Sequence, residues 1–166
     1  MLGLGESGDF GMSVDQSDSL QTLAVNCAKA MWADDRASKG LGMSLVSIAP
    51  GAAIVTMRVR DDMTNGHGIC HGGFIFALAD SAFAFACNSN GLRVVAQHCA
   101  ITFLKPANLG DRLSASAVER AREGRSGIYD VTVKDEHGET IAEFRGHSRM
   151  ISGSWLQGPP AGSANP

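Results

Sequence analysis

The sequence predicts an α+β domain, with an antiparallel sheet lying against one long apolar helix and a further helix near the amino terminus. Three observations carry that prediction. Several short segments alternate apolar and polar side chains, the period of a strand with one face buried. One run, Phe74 to Asn88, is apolar or Ala at almost every position, as a helix buried on most sides must be. Turns of a few residues, rich in Gly, join most neighbouring strand patterns, which antiparallel pairing permits and parallel pairing does not. At 166 residues the chain is long enough for one domain with a real core and too short for two comfortable ones.

Met1 to Asp18 is rich in Gly, Ser and Asp without an apolar period, so residues 1–18 read as a loose leader. Asp18 or Ser19 then caps a helix that sets Leu20, Leu23, Ala24, Cys27, Ala28 and Met31 on one face and ends near Gly40. A strand from Met43 to Ile48 turns at Pro50-Gly51 into a second, where Ala53, Val55, Met57 and Val59 alternate with Ile54, Thr56, Arg58 and Arg60. A Gly-rich loop from Asp61 to Gly73 leads into the central helix. Afterwards come strands over Val94–Leu104 and Leu113–Ala121, a third in which Tyr129, Val131 and Val133 alternate with Asp130, Thr132 and Lys134, and a last from Thr140 to about Met150. Residues 19–152 form the folded domain. From Gly153 to residue 166, with Gly158-Pro159-Pro160 and a run of small residues, the chain reads as a loose tail.

Composition narrows the function. Hydrophobic residues make up 44% and charged residues 19%, an ordinary globular balance. A net charge of −3 offers no basic stripe to track nucleic-acid phosphates. No basic segment followed by an apolar core and cleavage site opens the chain, and no apolar stretch approaches the roughly 20 residues that span a bilayer, so the expectation is a cytoplasmic protein. Cys27, Cys70, Cys87 and Cys99 show no CxxC or secreted-scaffold spacing, which fits a reducing compartment.

Within the central helix, Asp80 is the anomaly. A carboxylate among hydrocarbon loses solvation, so it is paired, shifted upward in pKa, or facing a site that needs it. Its structural alternative is a capping Asp or one paired with Arg. Upstream, Gly66, Gly68, Gly72 and Gly73 leave an uncluttered backbone where the helix begins, and its free N–H groups and positive dipole end suit a carbonyl oxygen gaining negative charge. A plain turn would also explain the glycines. Seven or eight residues at ~1.5 Å rise separate Asp80 from its own helix start by roughly 10–12 Å, whereas reacting atoms must lie within about 3–3.5 Å. If both groups serve one substrate, the Asp must come from a second copy whose central helix lies antiparallel alongside.

The stretch from Asn65 through His71, Gly72, Gly73 and Asp80 to Ser89 resembles the hotdog-fold acyl-CoA thioesterases of the phenylacetate-pathway (PaaI-type) family. Ile101–Pro106, Gly110-Asp111, Gly127–Asp130 and Phe144–Gly146 look like the same family, so the similarity runs from about residue 20 to 152. The resemblance implies a sheet wrapped around the central helix and hydrolysis of small aromatic acyl-CoA thioesters such as (hydroxy)phenylacetyl-CoA. It assigns Asp80 as general base or nucleophile, the Gly72 amide as polariser of the thioester carbonyl, and Asn65 and His71 as shapers of the carbonyl end. It also implies a homodimer sharing its active sites, commonly paired into a homotetramer, with no cofactor. Where many relatives carry a small hydroxyl residue early in the strand after the helix, this chain reads Ala96, Gln97, His98, Cys99, Ala100.

The same residues admit other readings. His67, Cys70 and His71 are zinc-type donors, but no second group stands at ligand spacing nearby. Cys70 beside His71 could suggest a thiol nucleophile, although adjacent side chains diverge. On the same scaffold, an enoyl-CoA hydratase or dehydratase and a non-catalytic acyl-CoA-binding regulator are the alternatives. For the CoA nucleotide, the candidates are Arg125 with Ser126, Arg145 with Ser148, Lys105, Arg93 and the exposed N–H of Gly73, each weighed against solvated surface charge.

Overall fold

The computed structural model describes residues 13–157; the expected leader up to residue 12 and tail from residue 158 lie outside them. The elements follow the order α1 Ser13–Asp34, α2 Arg36–Gly40, β1 Ser44–Ala49, β2 Ala52–Arg58, α3 Gly72–Cys87, β3 Leu92–Phe103, β4 Arg112–Glu123, β5 Ser126–Lys134 and β6 Thr140–Ser154. The six strands form one sheet in the order β1-β2-β4-β5-β6-β3, antiparallel at every pairing. This is the expected α+β arrangement, with α3 packed on the inner face.

Alternation sets which side chains meet α3. Val55 and Met57 of β2, Leu113, Ala115 and Ala117 of β4, Tyr129, Val131 and Val133 of β5, and Ala142 and Phe144 of β6 all point inward and are buried. They receive Ile75, Leu78, Ala79, Ala82, Phe83 and Ala86 from α3. Phe83 lies 5.5 Å from the Tyr129 ring centroid and 5.9 Å from that of Phe144. A Cβ added at Gly146 would come within 2.9 Å of the Phe83 ring, so glycine is what lets the helix sit this close to β6. Phe85 packs on Trp32 of α1 at 5.8 Å, which fixes the amino-terminal helix to the back of α3.

Several boundaries differ from those expected. α1 starts at Ser13, not after a cap at Asp18 or Ser19; the Ser19 hydroxyl donates to the Gln16 carbonyl and the Thr22 hydroxyl to that of Asp18, so both caps are interior helical residues. The single helix expected to reach Gly40 breaks at Asp35, whose side chain accepts from Ser38 N–H at 2.9 Å and caps α2 instead. At its far end β6 runs past Met150 to Ser154. There the Ser154 hydroxyl donates to Gly91 O at 2.8 Å and Trp155 Nε1 donates to Asn88 Oδ1 at 2.7 Å. Residues read as the start of a loose tail therefore fasten the carboxyl end of α3. Pro50-Gly51 forms the expected turn, with Gly51 at φ +71 in the order a type II turn requires.

Among the described residues both terminal strands of the sheet have one unpaired edge: β1 leaves Val46 exposed, and β3 leaves Leu92, Val95 and Phe103 exposed. On α3, where burial nearly all round was expected, Gly73, Ala77, Asp80 and Ala84 form a stripe that the sheet does not cover.

Candidate active site

The loop before α3 is built from its own backbone. Asn65 N–H donates to Ile69 O at 2.8 Å, Gly68 N–H donates to Asn65 O at 2.9 Å, and the Asn65 carboxamide oxygen accepts from His67 N–H at 2.9 Å. Thr64 and Cys70 form an isolated antiparallel bridge, and Cys70 N–H reaches Ala107 O at 2.8 Å. His71 N–H then donates to Met63 O at 2.8 Å, which aims the chain into the helix. His71 is the helix N-cap: its Nδ1 accepts from Gly73 N–H at 2.9 Å, which places the proton of the neutral imidazole on Nε2. Among the described residues the Gly72 N–H has no acceptor. One amide at the positive end of the helix is thus left free, as an oxyanion donor must be.

Asp80 lies two turns further along, on the uncovered stripe with Gly73. Among the described residues it forms no ion pair; its one hydrogen bond comes from Cys99 of β3, with Sγ 3.8 Å from Oδ1. Burial pushes its carboxyl above the ordinary aspartate value, and the Cys99 hydrogen bond draws it partway back. The structural alternatives of a cap or an arginine partner are therefore not what the fold builds. Eight residues of helix separate Asp80 from Gly72, ~12 Å along the axis, so one chain cannot present both to one carbonyl.

The remaining candidates divide. Arg125 donates to Met150 O through Nε and Nη2, at 3.2 and 2.9 Å. With Ser126 and the buried Ser148 it borders a cavity of about 250 Å³ that Cys87, Leu92 and Val94 also line, beyond the carboxyl end of α3. Arg145 is not brought to this side of the sheet. It projects from the outer face and grips Asp130 through two bonds of 2.6 and 2.9 Å, while Arg120 adds a third at 2.8 Å. Those guanidiniums hold the Asp130 carboxyl down at about 2. Lys105 pairs with Glu139, and Arg93 stacks on the Trp155 ring at 4.8 Å.

Two of the three zinc-type donors are otherwise engaged. The Cys70 thiol is buried, pushed up to about 11 chiefly by that burial, and directed at the His71 carbonyl; His71 Nδ1 caps the helix; His67 is exposed. Phe83 and Phe85 are core residues, and only Phe74 borders His71, at 6.3 Å between ring centroids. Sequence reasoning missed the Cys99 contact with Asp80, because nothing in the residue order marks the irregularity of β3 that creates it.

Residues 67–142 match the Thioesterase superfamily. The chain is 46% identical over 127 residues to the acyl-coenzyme A thioesterase PaaI of Escherichia coli, spanning 76% of this chain and 91% of that protein. The solved structure of the E. coli PaaI protein from the phenylacetic acid degradation operon superposes with a TM-score of 0.80 at 45% identity, over 81% of this chain and 98% of that one. A variant of the phenylacetic acid degradation protein PaaI from Thermus thermophilus gives a TM-score of 0.68 at 40% identity, over 70% of this chain and all 100% of that one. A six-stranded antiparallel sheet on one apolar helix and, among the described residues, a carboxylate on that helix with no ion-pair partner and an amide at its start with no acceptor are thus features of a chain that belongs to the thioesterase superfamily, as a hotdog-fold thioester hydrolase of the PaaI type.

Proposed function

We propose that this protein hydrolyses small aromatic acyl-CoA thioesters, of the (hydroxy)phenylacetyl-CoA kind, to the free acid and CoA, in a homodimer whose two sites are each built from both copies. The observation that supports this most is the position of Asp80, a carboxylate without a cationic partner among the described residues, on the one stripe of α3 that the sheet leaves open. Two such stripes laid antiparallel bring Asp80 of one copy toward the free Gly72 amide of the other. The open edge of β3 is the second surface such a dimer would use, since an unpaired strand edge is a template for pairing. Pairing of dimers into a tetramer completes the proposed assembly.

In that site the thioester carbonyl oxygen accepts from the Gly72 N–H, with Asn65 and His71 shaping the loop around it. Asp80 takes a proton from water as the oxygen attacks the carbonyl carbon. The tetrahedral intermediate then expels the CoA thiolate, which recovers the proton from Asp80, and the acid is released. Base catalysis is favoured over direct attack by Asp80, which would need a mixed anhydride to be formed and then cleared. Arg125, Ser126 and Ser148, which border one cavity, remain the candidates for the CoA phosphates; Arg145 lies on the other face against Asp130, and the Gly73 N–H, expected to be exposed, is taken by His71 Nδ1.

A panel of acyl-CoA thioesters assayed for released thiol tests this reading. Phenylacetyl-CoA and its ring-hydroxylated forms should exceed acetyl- and long-chain acyl-CoA in kcat/KM. Preference for straight chains would refute the aromatic assignment. Hydration of an enoyl-CoA without thiol release would replace hydrolysis with the hydratase reading.

A further inference from the structure

The alternation of β3 does not run straight through. Its register against β6 shifts between Ala96 and His98, where Ala96 pairs with Ser148 and His98 with His147, so one residue, Gln97, is extra on the β3 side. Before this bulge Val94 faces α3; after it the inward positions are Cys99 and Ile101, both packed against the core. Unbroken alternation from Val94 would have turned His98 inward and Cys99 out. As built, His98 stands on the outer face with its ring 5.5 Å from that of His147, and the thiol of Cys99 reaches Asp80. Bulges beside active sites re-aim side chains in this way.

Resting on the reading of Asp80 as the base, we infer that Cys99 is a positioning residue for it: the thiol donates to Oδ1, fixes the carboxylate plane and leaves Oδ2 to meet water. Among the described residues no other donor bonds this carboxylate. Among the described residues its titratable surroundings are sparse: Cys99 faces it from β3, Cys87 lies two turns further along α3, and no cation contributes to its charge balance. Burial and the neighbouring Asp80 push the Cys99 thiol up to about 11, so at neutral pH it remains a neutral donor. A weak donor suits the task. An arginine or lysine here would orient the carboxylate as well but would drain its basicity, whereas S–H holds one oxygen at small cost to the other.

The test compares wild type with Cys99→Val, Cys99→Ser and Asp80→Asn on one hydrolysed acyl-CoA, following kcat, KM and the pH profile of kcat/KM. Val removes the donor while staying apolar and close in size; it should lower kcat about 2- to 10-fold, the worth of one hydrogen bond, leave KM nearly unchanged and move the acid limb to higher pH. Ser keeps a donor and should return the acid limb toward wild type. If Val does not fold, Cys99→Ala serves in its place. A limb that stays put in the apolar variant, or that moves equally in the Ser variant, overturns the inference while an inactive Asp80→Asn leaves the base assignment standing. Full turnover by Asp80→Asn removes both.

Discussion

The separation between Asp80 and Gly72 gives the proposed shared site a quantitative test. Eight residues at ~1.5 Å place the two ~12 Å apart along the helix, several times the reach of one thioester carbonyl. Two variants isolate the two halves. Asp80→Ala deletes the base, with an expected loss of about 10²–10⁴ in turnover. Gly72→Pro deletes the free N–H, with an expected loss of about 10²–10³. Proline is compatible with that position because Gly72 opens α3, where a first-turn N–H has no helical partner, and because His71 before it already has the extended φ −64, ψ 132 that a following proline prefers. An added Cβ there meets the ring of Phe103, whose Cζ lies 2.8 Å away in a half-exposed residue. Co-expressed in equal amounts, the two variants assort so that half of all dimers are mixed, and each mixed dimer regains one intact site of two, so activity returns to about one quarter of wild type. If base and amide acted within one chain, every site would lack one of them. Activity of the mixture no higher than that of its parents, with mixed dimers demonstrated, would refute the shared site.

Asp80→Asn should raise the melting temperature at pH 7 while abolishing turnover. Its folded pKa lies above the ordinary value, so the stability linked to its proton is complete below the unfolded pKa and is lost as pH rises through the raised one. The gain from Asn should therefore shrink in acid, and a variant less stable than wild type at pH 7 would contradict the burial argument. Gly146→Ala sets a Cβ 2.9 Å from a Phe83 ring that is 1% exposed and pinned by Tyr129 and Phe144. Such overpacking costs about 1–3 kcal/mol, or roughly 3–10 °C in Tm for a chain of this size; a melt within a degree of wild type would show that the helix can move off β6.

Local pattern revealed the sheet, and the reasons are physical. Inward positions such as Val55, Leu113, Val131 and Phe144 alternate with polar neighbours because one face of each strand is buried and the other is not. Asp80 was legible because it interrupts an apolar run, and the glycines around Gly72 because backbone without side chains marks a site of close approach. What depends on register was not legible. The Asp130–Arg145 pair joins residues on neighbouring strands that only the β5–β6 pairing brings opposite each other. Cys99 could not be told from an outward residue without the bulge, and Trp155, in a segment of tail-like composition, gained its role from Asn88 across the fold. The break at Asp35 is subtler, since its side chain becomes a cap only once the Ser38 N–H is in place to donate to it.

The residues flanking Asp80 give the proposed dimer an electrostatic consequence. Gly73, Ala77 and Ala84 share its stripe, and none carries a side chain longer than a methyl group, so these positions allow an antiparallel partner helix to come close. In the separate chain Asp80 is only partly buried, yet burial already lifts its pKa. A second stripe closing over the first would remove the remaining water and raise it further. The same contact would bring the partner's helix terminus, whose positive dipole end and free amide favour negative charge. Assembly of the proposed dimer would thus add desolvation that strengthens the base and a field that keeps it ionised, and the balance between the two would set the pH at which it works. A lysine or arginine on the stripe would supply only the second effect. That gives a physical reason why the carboxylate stands without a cation among the described residues of its own chain.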